Sequence, residues 1–226
     1  MKALHEIIES SWSEISLNED DYHIGQSDIT ALVVNTLFGG RIIKMTTPTK
    51  SHYCNIINGI IVDYTNEPFK DYTLSETSID EVGEKSLLEN PSIKKRYLSL
   101  LKTIYQNLKT NFSTQLNSHT SNEGQEPIDS PYTFLELNDY YDGGAYEMVG
   151  FTLGTATEKK NYEYLRDKED GTIALTSKMK RATPKIKNPN PQVIEQVFAL
   201  GRENKDTIET LKVLEKTLAN ESTPHA

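Results

Sequence analysis

The chain has 226 residues, 36% hydrophobic and 25% charged, long enough to bury a core without disulfides or metals. It carries 24 basic and 33 acidic residues, a net charge of -9, which excludes broad binding to nucleic-acid backbones, where basic side chains neutralise phosphates. A single cysteine, Cys54, excludes an intramolecular disulfide framework and a Cys-rich zinc site, and points to a reducing compartment.

The opening stretch MKALHEIIESSW lacks the apolar core of a signal peptide, and apolar runs such as ALVV at 31–34 are too short to span a bilayer. The expectation is a cytoplasmic protein that binds neither membrane nor nucleic acid. Residues 3–11 read as a short helix, followed by an acidic, polar loop that contains His23. Residues 27–38 read as a second helix, with Ser27 or Asp28 as its N-terminal polar group and Gly39-Gly40 as its stop. Ile29, Leu32, Val33, Val34, Leu37 and Phe38 leave it little polar face, which makes it central.

Three short strands are expected at 41–46, 51–57 and 60–65. Asn58-Gly59 between two apolar runs is a hairpin signal. A two-residue loop there pairs Ile57 with Ile60, Cys54 with Asp63 and His52 with Thr65. Because side chains alternate faces, His52, Cys54 and Asp63 share one side, with His52 and Asp63 as diagonal neighbours. Residues 91–112 read as a helix with the stripe Ile93, Tyr97, Leu100, Leu101, Ile104, Tyr105, Leu108.

The segment 113–131 is poor in large apolar residues and has no aromatic, so it reads as a linker. It divides a first domain, 1–112, from a smaller α+β module, 132–226. In that module YTFLELNDYY and AYEMVGFTLG flank Asp142-Gly143-Gly144 as a hairpin, and a short strand follows at 172–176. The aromatics Tyr132, Phe134, Tyr140, Tyr141, Tyr146 and Phe151 suit a sheet core. A helix is expected over 190–219, with an apolar seam near heptad spacing interrupted by Asn204. Such a seam serves either packing within its own domain or a homodimer.

The pattern with chemical content is Gly25-Gln26-Ser27 opening a buried helix, followed by His52 and Asp63 on paired strands. Thiol hydrolases place their nucleophile at a helix N-terminus, beside a His that a carboxylate or amide orients. Backbone N–H groups at the helix start can form part of an oxyanion hole, with Gln26 as a further donor. Ser27 could equally be a plain cap.

Here the sequence resembles a family. The stretches GQSDITALVVNTLFGG, SHYCNIINGIIVDYT and NPSIKKRYLSLL look like the YunG-like proteins, a bacterial group, and the SSWS around Trp12 resembles their opening. The resemblance covers about 1–110. It implies an α+β, papain-like domain whose pattern runs G-Q-C, F-G-G, S-H-Y-W-N and D-L-T. It carries the nucleophile position to Ser27, the base to His52 and the orienting acid to Asp63. This chain departs from it in three places: serine stands for the nucleophilic cysteine, Asp28 stands where a small neutral residue follows, and Cys54 stands for a tryptophan.

The serine alters the chemistry. A hydroxyl is far less acidic than a thiol and needs its proton removed by a general base during attack. Ser27 is thus an engineered inactivation, a natural loss in a pseudoenzyme, or a working serine nucleophile. Asp28 either sets a negative charge near a developing oxyanion or faces outward as a first-turn acid. Cys54 reads as a small apolar filler or a replacement thiol, and His23 as a surface histidine or a cleft-lining one. His5, His119 and His225 form no metal spacing, and no cofactor is expected. The expected activity is acyl transfer or hydrolysis at an amide or ester of a peptide, protein or small amide, weakened by Ser27. The alternative is a non-catalytic protein-binding module, homodimeric through the 190–219 helix.

Overall fold

A computed structural model describes residues 4–15, 25–46, 51–65, 78–119, 134–155, 157–182 and 189–222. The chain divides into two compact units, residues 1–109 with 211–226, and residues 110–210.

The first unit contains α1 (Leu4–Ile15), α2 (Ser27–Phe38), β1 (Arg41–Thr46), β2 (Ser51–Ile57), β3 (Ile60–Val62), β4 (Ser78–Val82) and α3 (Glu84–Leu88). The long α4 (Pro91–His119) begins in it. Its sheet is antiparallel throughout, in the order β3-β2-β1-β4. The Asn58-Gly59 turn pairs Ile57 with Ile60 as expected, and Asn58 takes the positive φ that a tight hairpin loop requires.

The core forms around α2, as its nearly continuous apolar surface demands. Ile29, Leu32 and Val33 pack with Ile7, Ile8 and Trp12 of α1, Ile42 of β1, and Tyr97, Leu100, Leu101 and Ile104 of α4. Polar groups in this core are paired, because an unpartnered one costs more than its hydrogen bond returns. Trp12 Nε1 donates to Thr30 Oγ1 at 3.1 Å. Thr36 spends its hydroxyl proton on the Leu32 carbonyl at 2.9 Å, so at 2.7 Å it accepts from the Tyr97 hydroxyl. Asn55 Nδ2 donates to the Ala31 carbonyl in mid-α2 at 3.0 Å.

The two faces of the sheet are thereby assigned. Asn55, its ladder partner Ile42 and Tyr53 face α2. Ile43, Met45 and Cys54 form a separate small apolar cluster on the other face, flanked by Ile56.

The second unit contains β5 (Phe134–Asp142), β6 (Tyr146–Gly154), β7 (Lys159–Asp167), β8 (Ile173–Leu175), α5 (Ser177–Ala182) and α6 (Pro191–Glu203). Its strands form an antiparallel meander in sequence order. Phe151 stacks with Tyr162 and Tyr164, and Phe198 of α6 lies under the Arg166 guanidinium. Gly201 lets α6 approach β5, since a Cβ there would stand 2.4 Å from the Tyr140 ring.

Several sequence expectations change. Residues 113–119, read as linker, continue α4, while 120–133 lie outside the described residues. The strand β7 lies beyond the expected elements, and β4 and α3 are too short and exposed to stand out in the sequence. The 190–219 helix is two helices, α6 and α7 (Lys205–Ser222), broken at Asn204. The buried Asn204 sends both its backbone N–H and its Nδ2 to the Leu200 carbonyl, a local bond that competes with helix propagation. Of the apolar seam positions, Val193, Val197, Leu200, Ile208 and Leu214 are buried within the chain. Leu214 lies in the core of the first unit, with Leu211 and Leu218 against it. No helix among the described residues is long and apolar enough to cross a membrane.

The Gly39-Gly40 stop serves two different needs. Both residues hold positive φ, but only Gly40 is crowded: a Cβ there would lie 2.5 Å from the Ile56 carbonyl oxygen. Gly39, at φ 69° and ψ -149°, occupies backbone space essentially confined to glycine, so Gly39→Ala is expected to cost about 1–3 kcal/mol for the backbone alone. Gly40→Ala, which adds the clash, should cost distinctly more, about 3 kcal/mol or above. Urea midpoints of the two variants check the order.

Candidate active site

His52 and Asp63 meet as the hairpin register demands. His52 is fully buried, and its Nε2 lies 2.8 Å from Asp63 Oδ2. The second carboxylate oxygen of Asp63 accepts from the Thr65 backbone N–H at 3.0 Å and from Thr65 Oγ1 at 2.7 Å. Burial alone would raise the Asp63 carboxyl, but the hydrogen bonds from His52 and Thr65 outweigh it and hold the group below the usual carboxylate range. An ionised carboxylate can only accept, so it selects the tautomer in which Nε2 carries the proton and Nδ1 the lone pair. His52 is thus oriented by an acid in the way a general base requires.

Cys54 lies two residues along the same face. Burial first, and the Asp63 charge second, push its thiol up to about 11. Both causes oppose thiolate formation, and Cys54 packs in the small apolar cluster with Ile43 and Met45, as a filler would.

Ser27 is buried and forms the first helical residue of α2, one position inside the N-cap, which is Gln26. It is therefore not the cap that the sequence suggested. No side chain caps α2 from Gln26, and the Asp28 carboxylate instead accepts the Ile29 N–H at 2.7 Å. The Asp28 side chain is largely buried and paired with a cation. Arg96 of α4 donates to Asp28 Oδ2 at 2.5 Å and to the Gly25 carbonyl at 2.8 Å. This clamp closes over the Gln26-Ser27 turn and cancels the carboxylate charge locally. Arg96 had no place in the sequence reading, and nothing at 68 residues' separation in one sequence could have paired it with Asp28. His23 lies outside the described residues.

Ser27 and His52 lie toward the same end of β2. Ala31 sits over Asn55, and the C-terminal stop at Gly40 lies against Ile56, so α2 follows β2 and points its N-terminus toward His52. His52, however, leaves the sheet on the face opposite α2. Asn55 faces α2, and strand alternation turns His52 the other way. Among the described residues no hydrogen bond joins Ser27 to His52. The structure brings His52, Asp63 and Cys54 together, and it brings Gln26, Ser27, Asp28 and Arg96 together.

The YunG protein family model matches residues 1–109. A relative from Bacillus subtilis (strain 168), named as the uncharacterized protein YunG, is 31% identical over 121 residues, which is 52% of this chain and 96% of the relative. The chain belongs to the YunG family. The match spans α1, the GQS turn, the FGG stop, the SHY strand and the start of α4, so in this member the family segment contains every residue of both clusters. No solved structure matches the chain.

Two outcomes follow from the environment of Asp63. Its folded pKa lies below the unfolded value, so its stabilisation is complete above about pH 4 and fades as the pH falls through the folded value. Asp63→Asn should lower stability by about 1–3 kcal/mol at pH 7, and the gap from the parent chain should narrow by pH 3, as read from urea midpoints. At pH 8 a thiol titrating near 11 is ionised in roughly one molecule in a thousand, so iodoacetamide should label native Cys54 at least about 100-fold more slowly than free glutathione.

Proposed function

We propose that the N-terminal part of this chain is a papain-like hydrolase or acyltransferase core, with residue 27 in the nucleophile position, His52 as base and Asp63 as its orienting acid. The buried 2.8 Å pair between His52 and Asp63 carries this reading. A histidine sealed from solvent against an ionised carboxylate is costly to build, and its use as an oriented base explains the arrangement. The motif order of the YunG family supports it further, with GQS, SHY and DYT all inside the matched segment.

The chemistry is attack on the carbonyl carbon of an amide or ester. His52 takes the nucleophile's proton on Nδ1, because Nε2 is committed to Asp63. The tetrahedral oxyanion is met by N–H groups at the start of α2, where the helix dipole favours negative charge. The proton on His52 then passes to the departing nitrogen or oxygen. Collapse leaves residue 27 acylated, and water or another acceptor releases the acyl group. With serine at position 27 the first step is slow, because the hydroxyl does not share the thiol's ready ionisation.

A second reading is favoured by one observation: His52 leaves the sheet on the face opposite α2, and among the described residues no hydrogen bond joins it to Ser27. In that reading the family core serves as a non-catalytic module that binds another protein or a second copy of the chain.

A Ser27→Cys chain separates the two. If the hydrolase reading holds, iodoacetamide should label residue 27 much faster than Cys54, and His52→Ala on that background should slow this labelling by about 100-fold. Mass mapping locates the label. Equal labelling of residue 27 with and without His52 would leave only the binding-module reading.

A further inference from the structure

We infer that Thr65 is a positioning residue of the proposed site: its hydroxyl and backbone N–H lock the Asp63 carboxylate so that Oδ2 stays aimed at His52. This rests on the reading of His52 as the base. The decisive observation is where the sheet stops. The last ladder pair of the hairpin is Asn55 with Val62, and β3 ends there, short of the strand expected over 60–65. Asp63 therefore stands immediately beyond the ladder, and strand pairing does not hold it opposite Cys54.

An acid held by its strand position alone would orient a histidine poorly. The terminal torsion of an aspartate is broad, so a carboxylate gripped by one oxygen can turn about its own axis. Oδ2 faces His52 Nε2 at 2.8 Å. Oδ1 accepts from Thr65 Oγ1 at 2.7 Å and from the Thr65 N–H at 3.0 Å. These bonds to the residue two positions on form an Asx turn, in which the side chain supplies the closure that the ladder no longer gives. His52 and Thr65 are buried and the Asp63 side chain nearly so, which keeps water from competing for these bonds.

Thr65 acts on His52 through Asp63. Its two hydrogen bonds favour the ionised acid. An ionised carboxylate fixed in plane keeps the proton of His52 on Nε2, and it steadies the imidazolium that forms when Nδ1 takes the nucleophile's proton. Threonine or serine supplies the hydroxyl this needs; valine, of nearly the same shape, does not.

The test uses the full Ser27→Cys chain, iodoacetamide as the probe and mass mapping to locate the label. Thr65→Val removes the hydroxyl and keeps the backbone N–H. It should slow labelling of residue 27 at pH 7 by about three- to tenfold, the worth of one hydrogen bond, and move the pH midpoint of labelling up by at most about one unit. Thr65→Ser should restore both. The titration of the Asp63 carboxyl, followed by NMR, reads the bond itself: it should move up in Thr65→Val and not in Thr65→Ser. A titration that does not move, or one that moves while labelling is unchanged, overturns the inference, and the hydrolase reading stands if labelling still depends on His52. Labelling that does not depend on His52 overturns both. A slowing that Thr65→Ser fails to restore also overturns it, because shape rather than the hydroxyl would then matter. Thr65→Ala removes the same hydroxyl with a smaller side chain and is measured beside Thr65→Val, so that if a melting curve shows one of them unfolded the other decides.

Discussion

One buried amide fixes the geometry on which the rest of the first unit depends. Asn55 sits in mid-β2 and donates to the carbonyl of Ala31 in mid-α2. The Ala31 carbonyl, inside a helix, already accepts from within α2, so Asn55 adds a second donor to an acceptor with two lone pairs. That bond is shielded from water, which makes it directional in a way that apolar contacts between α2 and the sheet are not. Leucine and isoleucine side chains permit a helix to slide on a sheet; a buried amide accepts one register. With α2 set against β2, the N-terminal turn at Gln26-Ser27 and the strand position of His52 follow.

Around that anchor the chain treats its two polar clusters differently. His52 and Asp63 are neighbours because a two-residue turn fixes the hairpin register, so their meeting is decided within a dozen residues. The turn at Gln26-Ser27 is held from afar, by Arg96 of α4. Asp28, a departure from the pattern the chain otherwise resembles, has its charge spent on a guanidinium and a helix N–H. The departure and the clamp belong together physically, since either partner alone would leave a half-buried charge.

The same contrast explains what the sequence could and could not reveal. The hairpin, the two-glycine stop and the amphipathic stripe of α4 were legible because each is a local pattern with a mechanism. The alternation in NYEYLRD, with Tyr162 and Tyr164 buried between outward Asn161 and Glu163, carried the signal for β7, and it was overlooked beside the stronger hairpin before it. The break at Asn204 is visible as a polar interruption, but its meaning depends on where the side chain goes, and the heptad spacing leaves open both packing within the chain and a homodimer. The Arg96 clamp, the burial of Gln26 and the face of the sheet from which His52 leaves are properties of three-dimensional placement alone. The site was therefore legible as a set of residues and illegible as an arrangement.

The return of the chain's end to the first unit has its own consequence. Leu214 is fully buried among residues of α1, α2 and α4, although it lies more than a hundred residues beyond the family segment. The stretch that defines the family and the stretch that closes the hydrophobic core are not the same. A fragment cut after residue 109 would hold every residue of both polar clusters and still lack a leucine of the core around α2, leaving a void that native packing tolerates poorly. The last helix thus returns to complete a core that, by family resemblance alone, would be taken as already finished.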